Sequence, residues 1–465
     1  MKSRCPVYLA AGLLLAAVLP PAPSKAGPIP GGWRGSSGQS EKKLLLSGFE
    51  NKREGRYTNA LPGMGYTPEL GFIAAGMIGI YNNGSRSDPY FTLAPYRSAV
   101  TVLASASTRG MVSLQTILDV PYFRESAFRV RARIYFLRNP VENYFGSGET
   151  SLNPLRTPEG RIQDKYADYY NDLLRIENGT TNAYFNYYRN QLFLGEIQLE
   201  RDIRTVFRLA AGVTVSRRWI HDYTGDRVRG APPSDPDQRE DAIMRPTQLL
   251  LDQRAGGSSG FHGGWDNMLR LGLAWDTRDI EADPRRGMFH DFLLAAARGA
   301  LGSDFDYTIS SMTTRFYISP FPKGPDLVLA ARLGLTVKSG DIPFFVMNSI
   351  PSTDRSVIGL GGEFTLRGYR LSRFAGPVMG FGNLEARFHF ASFRLGANRI
   401  ELALAPFLDF GRVYDGLENL KISGMKTAAG IGLRAAVSQS FVLSVDLGFS
   451  SEEAAVLYMT FGQIF

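Results

Sequence analysis

From about Thr67 onward, apolar and polar residues take turns along the chain, the two-residue period of strands with one apolar face. In 127–138, Phe128, Val130, Ala132, Ile134 and Phe136 share one face, against Arg129, Arg131, Arg133 and Tyr135. In 268–276, Leu269, Leu271, Leu273 and Trp275 oppose Met268, Arg270, Gly272, Ala274 and Asp276. Segments 327–338, 383–390 and 441–450 repeat the pattern, with Arg332, Lys338, Glu385, Arg387, His389 and Asp446 on their polar faces. A soluble sandwich alternates too, but a polar face mixing Arg, Asp and Glu with many Gly and Ala is what a crowded, wet barrel lumen requires. The expected fold is all-β: a transmembrane antiparallel β-barrel of 16 strands over 67–465, whose 399 residues leave about 25 for each strand and its connection. Stretches 146–181 and 221–264 read as long surface loops, and no fixed-period repeat suggests a propeller or solenoid.

The N-terminus changes the picture. Lys2 and Arg4 precede an apolar stretch from Val7 to Leu19, and Ser24-Lys25-Ala26 offers a small-x-small exit, so 1–26 reads as a signal peptide. That stretch is too short for a spanning helix, and no later run of 18 apolar residues exists. Cys5 is the only cysteine and lies ahead of the apolar stretch, so lipid anchoring and disulfides are not expected. Residues 27–66 read as a short periplasmic lead-in. Composition adds 50 Gly, 21 Tyr and 30 Phe, in keeping with interface aromatics. The net charge of +8 includes Lys2, Arg4 and Lys25, a mild bias that makes no case for nucleic acid.

Three motifs carry chemistry. "VLYMTFGQIF" places Leu457, Met459, Phe461 and Phe465 on one face, and its closing aromatic resembles the β-signal of bacterial outer-membrane barrels. "LAWDTRDIEADPRRG" pairs a strand end at Asp276, Arg278 and Asp279 with a Pro-containing turn closing at Gly287. "LGGEFTLRGYR" holds Arg367, Gly368 and Tyr369. Together with "NYFGSGE" (143–149), "GNLEARFHF" (382–390) and "PFLDFGRVY" (406–414), these stretches resemble, in order, those of the BamA/TamA superfamily, or bacterial surface antigen family.

The resemblance implies a long loop after the eleventh strand, folded inward with Arg367 at its tip and paired to Glu385 and Asp409. Alternation puts both carboxylates on polar faces. A buried guanidinium requires such partners. Residues 27–66 number only 40, too few for the POTRA domains of well-known members, so the chain resembles a POTRA-less branch. The implied function is assembly or translocation, moving polypeptide or lipid into or across the outer membrane. The alternatives are a passive, porin-like channel, in which Arg129, Arg131 and Arg133 favour anions, and a structural surface protein. No enzyme is expected: "GGSSG" (256–260) sits in a Gly-rich loop, and His221, His262, His290 and His389 lack metal-ligand spacing. The expected partners are outer-membrane lipid, a polypeptide client and the cell's barrel assembly machinery for its own insertion, with no cofactor and a monomeric state. N-terminal sequencing of the membrane-extracted protein should begin near Gly27, and a chain still carrying Met1–Ala26 would refute the signal.

Overall fold

A computed structural model describes residues 52–465 apart from 92–93, 204–205, 232–237, 258, 280–282, 322–325, 355, 396–397, 438–440 and 462–464. The expected signal peptide, and the lead-in as far as residue 51, lie outside the described residues.

Sixteen strands form the barrel. The first four are β1 (Arg56–Thr67), β2 (Gly71–Asn82), β3 (Ser98–Ser107) and β4 (Val112–Val120). Next come β5 (Phe128–Asn143), β6 (Tyr187–Ile203), β7 (Phe207–Asp222) and β8 (Met268–Asp276). They are followed by β9 (Gly287–Ala297), β10 (Tyr307–Ile318), β11 (Asp326–Gly340) and β12 (Val378–Leu395). The last are β13 (Asn398–Tyr414), β14 (Lys426–Val437), β15 (Phe441–Ser450) and β16 (Val456–Phe461). Each strand pairs antiparallel with its neighbours in sequence, and a Tyr66–Met459 pair joins β1 to β16 and closes the sheet. Closure removes the open edges that a sheet in lipid cannot leave unsatisfied. Among the described residues no helix is long and apolar enough to cross a membrane.

Side chains follow the two-residue period. Leu269, Leu271, Leu273 and Trp275 are 38–58% exposed on the outside of β8, as are Leu329, Leu333 and Leu335 on β11 and Leu384, Phe388 and Phe390 on β12. Their alternates, including Arg332, Thr336, Lys338, Glu385 and Arg387, are buried inside. On the outer surface of β7–β10, Phe207, Trp275, His290 and Phe316 make a continuous row, with ring centroids 6.0, 5.1 and 5.7 Å apart. Such a row suits the level of lipid headgroups.

The barrel begins earlier than expected. β1 starts at Arg56, inside the stretch read as lead-in, and pairs with β2 along its whole length. Pro62, Gly63 and Gly65 interrupt the apolar alternation of "RYTNALPGMGYT", so pattern alone missed the strand.

The two expected long loops are folded. Connections 144–186 and 223–262 build a small surface subdomain around helix α1 (Tyr166–Leu174) and a sheet that includes Arg227–Gly230 and Glu240–Met244. Tyr166, Tyr169, Tyr170, Leu173 and Leu174 recur at helical spacing, and they pack against Phe185, Tyr223 and Met244. A second helix, α2 (Gln248–Arg254), is capped by Thr247, whose hydroxyl accepts the Leu250 N–H at 3.2 Å. Because Leu271 is 58% exposed near the middle of β8, Leu271→Arg should cost about 2–4 kcal/mol if lipid covers this face. Urea unfolding from lipid vesicles measures it, and a cost near zero would place the face in water.

Candidate functional site

Four barrel strands, β12 to β15, supply the inner wall of the site. On β12, Asn383, Glu385 and Arg387 point inward while Leu384 and Phe388 face out. β13 contributes Phe407 and Asp409, β14 Arg434, and β15 Ser444 and Asp446, every one of them buried. The 341–377 connection between β11 and β12 reaches this wall. It is anchored by Phe344, whose ring meets Tyr144 and Tyr188 edge-on at 5.5 and 5.1 Å. Arg367, on this connection, is 0% exposed.

Arg367 is held on every side. Its Nε and Nη2 donate to Asp409 Oδ2 and Oδ1, each at 2.8 Å, and its backbone N–H adds 3.0 Å to Oδ2. Nη1 donates to Glu385 Oε1 at 2.6 Å and reaches Asp446 Oδ1 at 3.4 Å. The Phe407 ring lies 3.4 Å from the guanidinium carbon. Two parallel bonds to one carboxylate use the planar fork that only Arg provides.

The surrounding charges are also matched. Arg434 Nη2 donates to Glu385 Oε1 at 3.1 Å and Asp446 Oδ1 at 2.9 Å, and Arg387 Nε donates to Glu385 Oε2 at 2.9 Å. Asn383 Nδ2 donates to Asp409 Oδ1 at 2.7 Å, while its Oδ1 accepts from Arg332 Nε at 3.0 Å. Sequence reasoning named Arg367, Glu385 and Asp409 but not Asp446, Arg434 or Asn383. Alternation marked Asp446 as inward; nothing local marked Arg434 as its partner.

Backbone approach explains the two residues after Arg367. Gly368 has φ +109°, and a Cβ there would lie 3.0 Å from the Phe449 backbone. Gly448 of β15 meets the same segment from the other side: its Cβ would come 2.7 Å from Arg367 C. The turn therefore rests directly on the β15 backbone, where no side chain fits. Tyr369 is 1% exposed; its hydroxyl lies 3.2 Å from Thr427 O and 3.1 Å from Ser451 Oγ.

The Omp85 superfamily domain pattern matches residues 120–465, about three quarters of the sequence. The chain belongs to the Omp85 superfamily. A domain of unknown function, DUF5982, matches residues 37–97. BamA from Haemophilus ducreyi lacking POTRA domains 1–3 has a similar fold at 13% identity, with TM-score 0.50 over 88% of this chain and 70% of that one. CdiB from Escherichia coli matches at 12% identity and TM-score 0.49, over 88% of this chain and 62% of that one. No curated protein sequence matches.

Two further motif groups lie elsewhere in this Omp85 barrel. At the end of β8, Arg278 Nη2 donates to Asp276 Oδ2 at 2.9 Å, and its Nε to Oδ1 at 3.0 Å. Asp279 Oδ1 accepts the N–H groups of Arg285 and Arg286 at 3.0 and 3.2 Å, and Gly287 (φ +103°) opens β9 against the Thr277 carbonyl. The motif is a strand-end brace, separate from the Arg367 cluster.

The chain end needs a correction. Leu457 faces outward, Met459 pairs with Tyr66, and β16 stops at Phe461, whose side chain lies outside the described residues. Phe465 was expected to share a face with Leu457. It is instead 5% exposed on the inside, between Arg332 and Arg387 at 5.0 and 5.3 Å and against Tyr317 and Ala330. Two inward guanidiniums attract the ring, an effect outside any local pattern.

Removing Arg367 would take from buried Asp409 the guanidinium that grips both its oxygens, and from Glu385 one of its three guanidinium partners. Arg367→Ala should therefore lower stability by about 3–5 kcal/mol, with Arg367→Lys recovering part of the loss because charge returns without the fork. Limited proteolysis reads the effect locally: cutting within 350–380 should quicken in the Ala variant, and an unchanged rate would remove the tie's structural role.

Proposed function

We propose that this Omp85 barrel sits in the outer membrane and moves polypeptide or lipid into or across it by a mechanical route along the β1–β16 seam. The observation that carries the reading is how short the described pairing across that seam is. β1 and β2 pair over their full length, whereas Tyr66 with Met459 is the one pair among the described residues that joins β1 to β16. Pro62 also deprives β1 of a backbone donor, a loss that fits a strand with an open side. Parting a few ladder bonds costs far less there than between other neighbours.

In this reading Arg367 is a latch. It ties the 341–377 connection to the wall beside the seam, so the wall stays rigid while β1 and β16 move. Guanidiniums keep their protons, so the cluster holds charge rather than transferring it. The proposed action uses no cofactor and no catalytic residue. "GGSSG" follows helix α2 and precedes the short strand Gly263–Trp265, the reverse of a nucleophile elbow, and Ser258 lies outside the described residues. The four histidines lie apart: His221 beside Asp226 and His262 beside Phe261 on the surface, His290 in the outer aromatic row, and His389 inside near Asp283 and Asp326. The proposed partners are lipid, a client and the machinery that inserts this barrel, with the protein acting as a monomer.

The passive-channel reading relied on Arg129, Arg131 and Arg133 as an anion-attracting strip. Each has a carboxylate partner: Arg129 meets Asp119, Arg131 lies 3.0 Å from Glu200 and Arg133 2.9 Å from Glu196. Paired charges offer an anion little.

The test compares outer-membrane and secreted proteins in cells with the gene, without it, and with a Tyr66→Cys/Met459→Cys variant. Cys5 is the only native cysteine, so an oxidised bond would report the seam alone. Specific proteins should disappear on deletion, return with the reduced variant, and be lost again on oxidation. An unchanged inventory after deletion would abandon the polypeptide reading, and activity surviving oxidation would abandon the seam.

A further inference from the structure

The described pairing of β1 with β16 lies at one end of the seam, next to the turns 68–70 and 451–455. Those turns present three buried carboxylates. Glu69 follows β1 and is 2% exposed; Glu452 and Glu453 precede β16 and are 8% exposed each. The 341–377 connection reaches both sides within four residues. The Leu371 N–H donates to Glu69 Oε1 at 2.9 Å. Arg370 Nε donates to Glu453 Oε1 at 2.6 Å, and Arg373 grips Glu452 through Nε at 2.7 Å and Nη2 at 3.0 Å.

The electrostatics make these ties consequential. Burial pushes the Glu453 carboxyl up, and Glu69 and Glu452 add to the push while Arg370 opposes it. The acids on the two banks thus repel one another across the seam. Arg370 attracts both Glu69 and Glu453, so it turns a repulsion into a bridge. Arg373 fixes the bridge from behind, since its Nη1 and Nη2 also donate to Ser151 O at 2.6 Å and Asn153 O at 2.8 Å in the 144–186 connection. From the same connection, Lys165 Nζ donates to Ser451 O and the Tyr166 N–H to Glu452 O, each at 2.9 Å. Other strand neighbours are held by long ladders; here cross-ties stand where the described ladder is shortest.

We infer that residues 370–373 form a clasp across the paired end of the β1–β16 seam, joining Glu69 on one bank to Glu452 and Glu453 on the other, and that this clasp must release before the seam opens. The inference rests on the seam being the route of passage. It assigns Arg370 and Arg373 a task separate from the Arg367 latch: the latch holds the connection to the wall, and the clasp uses the held connection to close the gap.

The test measures the gap itself. Spin labels at Phe72→Cys on β2 and Leu457→Cys on β16, both outward-facing, report the separation of the banks in purified protein reconstituted into vesicles. The parent should show one short, narrow distance. Arg370→Gln with Arg373→Gln should replace it with a broader, longer distribution, and Arg370→Glu with Glu453→Arg should restore the narrow one. Heat-dependent gel mobility establishes that each variant is folded. If the double Gln variant does not fold, Glu69→Ala decides in its place by removing the tie on one bank. A folded variant with the parent's distance overturns the clasp. A widened gap with an unchanged protein inventory keeps the clasp and discards the passage of polypeptide, so the two readings fail separately.

Discussion

Burying a permanently charged guanidinium is the constraint around which the inner wall is arranged. A charge leaving water loses several kcal/mol that only well-placed acceptors return. Arg367 meets that demand with Asp409, Glu385 and Asp446 from three strands, and each carboxylate then takes a further donor of its own. Arg434 and Arg387 answer for Glu385, Arg434 for Asp446, and Asn383 for Asp409. The demand spreads until it has set inward residues on β12, β13, β14 and β15 together. Exposed pairs such as Arg86–Glu54, at 4.0 Å in solvent, carry no comparable obligation.

The same cluster bears on how the barrel closes. A sheet in lipid must satisfy its last edge, and the last neighbour here is a strand interrupted by Pro62. Elsewhere the ladder bears the load. At the seam, side chains supplement it: Arg367 holds the connection to the wall, and residues 370–373 extend from that hold to the turns beside β1 and β16. Where the described backbone pairing is short, buried ion pairs from a loop thus stand beside it.

Much of the fold was legible because a two-residue period is a local property. Outward Leu269, Leu271 and Leu273 and inward Arg332, Glu385 and Asp446 stand where alternation put them. The period fails where Gly and Pro replace side chains that would carry it, which is why β1 was read as lead-in. It is also silent about connections: Tyr166, Tyr169 and Leu173 carry a helical pattern, yet their stretch was read as loop because the core they join includes Tyr223 and Met244, far along the chain.

The sequence by itself determined a barrel of alternating strands, its family, and which side chains face inward along the strands whose alternation is unbroken. Each follows from periodicity and short motifs, in which every residue is judged against neighbours a few positions away. The tertiary structure alone decided which inward charges meet, that Phe465 turns inside between two arginines, and that Glu69 and Glu453 flank Arg370. Those pairings join residues up to 302 positions apart, as from Glu69 to Leu371, and depend on strand register and the path of one long connection. Coulomb attraction acts through space, and nothing in the local pattern records distances of that kind.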